Sequence, residues 1–207
     1  MSRRFPGLLA AVLCAAGSVC AQVIEFESGG LKYQTLSKDG LTIMYAQLPM
    51  QVREYTIVQA TVTNGSKAVS VIRPEDFAFR LPDGKEVRAG SASAVVTNFL
   101  ERAGRNDVIR LVSTYEVGLY GLTRFRSTNG YEQRRQAALA EVANTRLKAA
   151  AAASAIAFVE MKLKPGESTD GALFFPTRGV PLTGSQLRVA ASGRVFEFRP
   201  ETSGPAR

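Results

Sequence analysis

Both cysteines of the chain, Cys14 and Cys20, lie within its first 21 residues, and that placement limits the possible folds more than any other feature. Arg3 and Arg4 form a positive n-region, Leu8 to Ala16 an apolar run, and Val19-Cys20-Ala21 a small-residue cleavage pattern, so residues 1–21 read as a secretory signal cut after Ala21. The mature chain would then begin at Gln22 without Cys, and the sequence has no His and no Trp. An exported chain of this kind folds by hydrophobic burial alone, with no disulfide to help it. The apolar run is short of the roughly 20 residues that cross a membrane. Lipidation of Cys20 is the rival processing route; the Gly17-Ser18-Val19 that precedes it departs from the Leu and small residues usual in such signals. Export to the periplasm, the outer surface or the medium is the expected localisation.

The missing residue types exclude most catalytic classes. Without His or a mature Cys, neither a Ser-His-Asp nor a Cys-His arrangement can form, and the familiar His- and Cys-ligated metal and haem sites are ruled out. A serine with a lysine base would show S-x-x-K followed by S-D-N and K-T-G, which the sequence lacks. Gly118-Leu119-Tyr120-Gly121 is no dinucleotide fingerprint, and no glycine-rich loop is followed by Lys and Ser or Thr. A pair of carboxylates could still carry glycosidase-type chemistry. The conspicuous pair, Glu75-Asp76, follows Pro74 and reads as a turn or cap. Asp83-Gly84 reads as a hairpin turn, because a calcium loop would need alternating oxygen ligands that are not there. No catalytic residue, cofactor or metal ligand is assigned.

The hydrophobic pattern divides the chain in three. From Leu31 to Val87 short β-rich segments alternate with turn residues: Leu31 to Leu36, Leu41 to Leu48 ended by Pro49, Tyr55 to Thr63, Ala68 to Ile72, Asp76 to Leu81 and Lys85 to Val87. Along Tyr55 to Thr63, the face of Thr56, Val58, Ala60 and Val62 is predicted to be the buried one. After Gly90 the period becomes helical. Ser91 to Ala103, about Asn106 to Leu122, and Tyr131 to about Ala155 give three helices. Strands return at Phe158 to Leu163, Gly171 to Phe175, Gln186 to Ala191 and Arg194 to Phe198. The resulting plan has residues 22–90 and 157–200 as two parts of one β frame, 91–156 as an α-helical insertion, and 201–207 as a disordered tail.

The stretches "IVQATVTN" from Ile57 to Asn64, "IRPEDFAFRLPDGKEV" from Ile72 to Val87 and "LKPGESTDGALFFP" from Leu163 to Pro176 resemble immunoglobulin-like β-sandwich domains of unknown function in bacterial secreted proteins. The resemblance implies an antiparallel β-sandwich, here interrupted by the helices, and it implies no activity. Function on such a frame has to be argued from a site.

Charge adds little. The chain carries 26 Lys and Arg against 18 Asp and Glu; losing Arg3 and Arg4 with the signal lowers the net charge from +8 to +6. These charges are scattered and serve solubility, with no nucleic-acid partner expected. One basic segment is interleaved with aromatics: Arg124, Phe125, Arg126, Tyr131, Arg134 and Arg135 form a candidate binding set. In the third helix Leu139, Ala143, Leu147, Ala150 and Ser154 trace a stripe of mostly small residues. Its expected partner is the second helix, with self-association through the insertion as the alternative. The reading as a whole is a non-catalytic binding or interaction module for a protein or other component of the cell envelope. A carbohydrate-binding module or carboxylate-based carbohydrate-active enzyme is one alternative, disfavoured by the lack of Trp. A structural subunit of a surface assembly is the other.

Overall fold

The computed structural model describes residues 22–198 except 105, 108, 111, 112 and 114–143. The fold is mainly β. Among the described residues eleven strands run in order: β1 (Ile24–Ser28), β2 (Leu31–Lys38), β3 (Leu41–Val52), β4 (Tyr55–Asn64), β5 (Ser70–Ile72), β6 (Phe77–Arg80), β7 (Glu86–Arg88), β8 (Met161–Leu163), β9 (Ser168–Phe175), β10 (Gln186–Ala191) and β11 (Arg194–Phe198). Between β7 and β8 lie helices α1 (Ala92–Arg102) and α2 (Thr145–Ile156). The strands form three antiparallel sheets: β1-β2-β3-β4-β9, β11-β10-β6-β7, and the pair β5-β8.

Turn chemistry fixes the register of the first sheet. Gly29-Gly30 and Asp39-Gly40 all have positive φ (59° and 76°, 49° and 78°), the backbone of two-residue type I′ turns that follow the right-handed strand twist. Ser192-Gly193, with φ of 49° and 74°, closes β10 on β11 in the same way. Strand β3 runs through Pro49, because the register against β4 shifts between Gln47 and Gln51. A bulge is one of the few places where a sheet tolerates a residue without an N–H.

Alternate residues of the first sheet point into two different cores. Val58, Ala60 and Val62 of β4, with Ile43, Leu173 and Phe175, pack against Phe77, Phe79, Leu187, Val189, Phe196 and Phe198 of the β11-β10-β6-β7 sheet. Phe79 meets Phe175 edge-on at 4.8 Å and Tyr45 meets Phe198 at 5.0 Å. The opposite face, with Tyr33, Met44, Ala46, Tyr55, Ile57 and Phe174, is covered by Val95 and Phe99 of α1 and the alanines of α2. Both faces of β4 are therefore buried, which corrects the expectation of a single buried face. Tyr55 and Ile57 lie under helix rather than in solvent.

The helices begin where capping chemistry puts them. Ser91 Oγ accepts from the Ala94 amide at 3.2 Å, and Asn144 Oδ1 accepts from the Arg146 amide at 2.9 Å. Phe99 stacks on Tyr55 at 6.2 Å and meets Phe174 edge-on at 6.1 Å, so α1 is anchored by an aromatic trio. α2 buries Ala149, Ala150, Ala152, Ala153, Ala155 and Ile156, whose small side chains let it lie close to α1 and the sheet. Of the expected small-residue stripe, Ala150 is buried in this contact, Leu147 is 47% exposed and Ser154 is exposed, while Leu139 and Ala143 lie outside the described residues. Among the described residues α2 packs against α1. Of that second helix, Asn106, Asp107, Ile109, Arg110 and Ser113 are helical and the remainder lies outside the described residues, as does the predicted helix from Tyr131 up to residue 143.

Leaving α2, the chain passes directly over β9. Ala157 bridges Ala172, and the Phe158 amide donates to the Ala172 carbonyl at 2.9 Å. A Cβ on Gly171 would lie 2.6 Å from Phe158 Cα, so only glycine allows this crossing. Among the described residues no helix is long and apolar enough to cross a membrane.

Candidate functional site

Strand β1 forms because Ile24, Phe26 and Ser28 alternate with Glu25 and Glu27 ahead of the Gly29-Gly30 turn. It pairs with β2 in the register Ile24↔Thr35, Glu25↔Gln34, Phe26↔Tyr33, Glu27↔Lys32 and Ser28↔Leu31. In a two-residue hairpin the residues flanking the turn, Ser28 and Leu31, are a hydrogen-bonded pair, and such pairs then alternate along the ladder. The N–H and C=O of Ile24 and Phe26 therefore face β2, and those of Glu25 and Glu27 face away from it. No described strand lies on that outer side.

The two faces of β1 differ in chemistry. Phe26 stacks on Tyr33 at 5.3 Å with rings 13° from parallel, and it remains 39% exposed beside Ile24 at 59%. On the other face Glu25 belongs to a polar chain. The Tyr45 hydroxyl donates to Gln34 Oε1 at 2.6 Å, and Gln34 Nε2 donates to Glu25 Oε1. Burial, with a smaller contribution from the Glu25 charge, raises the Tyr45 phenol far above its ordinary range. A cleft of about 390 Å³ opens below this chain, between the edge of the first sheet and the second sheet. Glu25, Glu27, Lys32, Gln34 and Gln47 line one side, Phe79, Leu182 and Ser185 the other. The Ser185 hydroxyl has no hydrogen-bond partner among the described residues.

This arrangement offers a strand edge with no partner strand among the described residues, an apolar pair above it and a polar cleft with Glu25, Glu27 and Lys32 below it. Among the described residues no three His, Cys, Asp or Glu side chains come together to hold a metal. Arg124, Phe125, Arg126, Tyr131, Arg134 and Arg135, the basic aromatic set expected from sequence, lie outside the described residues. Glu75-Asp76 does serve as a cap: Asp76 Oδ2 accepts from the Arg73 amide at 2.8 Å. Asp83 holds its hairpin, accepting from the Lys85 amide at 3.0 Å. The sequence reading passed over Glu25, Phe26, Glu27, Gln34 and Tyr45. An alternating Ile-Glu-Phe-Glu run ahead of Gly-Gly was the signal that could have found β1.

No protein-family model matches this sequence, and none of the curated proteins matches it. Among solved structures, the yjhA protein from Bacillus subtilis aligns over 80% of this chain and 76% of its own at 10% identity. Its TM-score of 0.32 is too low to carry an argument about either fold or function.

Proposed function

We propose that this chain is an exported, non-catalytic binding module, a two-sheet sandwich that takes an extended segment of a partner by strand addition at β1. The apolar cluster shared by the two larger sheets supports the sandwich reading. The likeness to immunoglobulin-like domains is limited to that packing, since the four-strand meander β1-β2-β3-β4 is not a Greek-key order. Export rests on the signal-like residues 1–21. The single observation that carries the binding reading is the free edge of β1, where the backbone of Glu25 and Glu27 faces outward between exposed Ile24 and Phe26 and an open cleft. Main-chain hydrogen bonds to such an edge supply affinity, and pockets for alternate side chains supply specificity.

The test is a library of random extended peptides screened against the mature chain, with amide hydrogen exchange of the bound state. Selected peptides are expected to slow exchange at the Glu25 and Glu27 amides. The substitution Glu27→Pro removes one outward donor without touching the β1–β2 ladder and is expected to abolish binding. Peptides that bind equally well to E27P, or a library that yields no binder, would overturn the reading.

A further inference from the structure

Resting on that reading of the β1 edge, we infer its occupant: an extended segment in which basic and apolar residues alternate. On the cleft side of β1 the outward positions are both acidic, and the Gln34 side chain fixes Glu25 from below. On the opposite side the same strand offers Ile24 and Phe26, both exposed. A strand added here must place every second side chain next to Glu25 or Glu27 and the intervening ones next to Ile24 or Phe26, because paired residues project from the same face of a sheet. Basic residues meet the first requirement and apolar residues the second.

The two glutamates are not equivalent. Glu27 lies across from Lys32 of β2, which offsets part of its charge, whereas Glu25 lies across from the neutral Gln34. Glu25 is the stronger anchor of the two for a basic side chain.

A second copy of this chain is a poor occupant on the same grounds. A two-fold axis through the edge keeps the same face up, and in the register that overlaps β1 fully, centred on Phe26, the Glu25 and Glu27 of one copy land opposite Glu27 and Glu25 of the other. Like charges directly opposite each other destabilise a strand pair. The net charge of the whole protein works against a basic partner, being +8 for the full sequence. A preference for basic peptides therefore has to come from the local edge and cannot come from the overall field.

The experiment uses the mature chain and three labelled peptides of about ten residues, a typical strand length: alternating Lys/Val, alternating Glu/Val and alternating Ser/Val. Two opposite-charge pairs in place of two like-charge pairs predict that Lys/Val binds roughly thirtyfold tighter than Glu/Val, with Ser/Val between them and the gap narrowing as salt rises. The double variant Glu25→Lys with Glu27→Lys is expected to reverse the order, and Glu25→Lys alone to weaken Lys/Val binding more than Glu27→Lys alone. Circular dichroism verifies that these exposed-side substitutions leave the fold intact. Equal binding of Lys/Val and Glu/Val overturns the charge inference and leaves the edge reading standing. Binding of none of the three, or a stable dimer by light scattering with β1 protected from exchange, overturns both.

Discussion

Replacing Asn64 by aspartate would change one nitrogen into an oxygen at the place where β4, β5 and the β8–β9 turn are tied together. Asn64 is fully buried, 0% exposed, and all its side-chain hydrogen-bonding positions are in use. Its Nδ2 donates to the Leu163 carbonyl at 2.9 Å and to the Ala68 carbonyl at 2.8 Å, while its Oδ1 accepts from the amide and hydroxyl of Ser66 at 3.1 and 2.7 Å. The backbone joins in: the Asn64 amide donates to the Glu167 carbonyl at 2.9 Å and the Gly166 amide donates to the Asn64 carbonyl at 2.6 Å. Aspartate keeps the two Ser66 contacts and loses both donations.

The Leu163 carbonyl is buried and loses its partner, which costs about 1–3 kcal/mol. The Ala68 carbonyl can turn to water, so its loss is nearer 1 kcal/mol. A buried carboxylate facing the Leu163 and Ala68 carbonyls adds to both, bringing the deficit of N64D to about 3–5 kcal/mol at neutral pH. In a domain of this size that is a fall in Tm of roughly 10 °C. The sign with pH follows from the same geometry. The folded state disfavours the charged form, so the introduced carboxyl has its pKa raised above the unfolded value of about 3.9, and the deficit grows as pH rises from there at up to about 1.4 kcal/mol per unit. Thermal unfolding of N64D, followed by circular dichroism against the parent at each pH, should show the gap closing towards pH 4. A gap under about 1 kcal/mol at pH 7, or one of constant size down to pH 4, would refute the assignment of Asn64 as the donor that ties these three elements together.

Two other positions give expectations of the same kind. Gly171→Ala puts a Cβ 2.6 Å from Phe158 Cα and 2.7 Å from its nitrogen, both backbone atoms that cannot swing away. A loss of about 3 kcal/mol is expected in denaturant unfolding, against about 1 kcal/mol for Gly166→Ala, where only the backbone conformation resists; equal losses would contradict the close crossing. The Tyr33 phenol, whose hydroxyl donates to Gln59 Oε1 at 3.1 Å, is pushed up to about 12 by burial, and Tyr45 is also raised by burial. A raised phenol pKa stabilises the fold fully below the unfolded value near 10, and this contribution is lost as pH climbs towards the folded value, so phenolate absorbance should show a late phase coincident with unfolding. If Y33F and Y45F leave that phase unchanged, the burial argument fails.

The sequence made hairpins legible wherever a two-residue turn carried its own chemistry. Asp39-Gly40 and Ser192-Gly193 both mark real turns, and β10 and β11 begin and end at the predicted residues because apolar alternation and turn agree there. Pro49 misled, since a missing N–H ends most strands, yet the bulge after Gln47 carries β3 on to Val52. The second buried face of β4 was illegible for a different reason. Period-two alternation reveals one apolar face, whereas Gln59 and Thr61 on the other look solvated until α1 and α2 are laid over it. The alanines of α2 show the same limit. A helix in which nearly every side chain is small has no strong polar side, so periodicity selected Ala150, which is buried, together with Leu147 and Ser154, which are exposed, and passed over the buried Ala149, Ala153 and Ile156. The candidate site was missed because β1 has five residues and makes sense only once its register on β2 is known.

Why β1, among the four ends of the two larger sheets, should be the one left open follows from how the other three are closed. β9 ends the same sheet, but the chain leaving α2 bridges it at Ala172. In the second sheet β7 has only three residues, Glu86–Arg88, and two of them are charged. At β11 the Lys38 ammonium donates to the Val195 carbonyl at 3.2 Å, occupying the strand where a new neighbour would pair. Short length, charge and covering contacts are the usual devices that keep sheet edges from aggregating. β1 uses only one of them, charge, and uses it selectively. Two glutamates spaced two residues apart repel a second copy of themselves and attract their opposite. An edge that needed only to be inert could have been closed by a proline or a lysine-rich bulge; Glu25 and Glu27 instead leave it closed to its own kind and open to a basic strand.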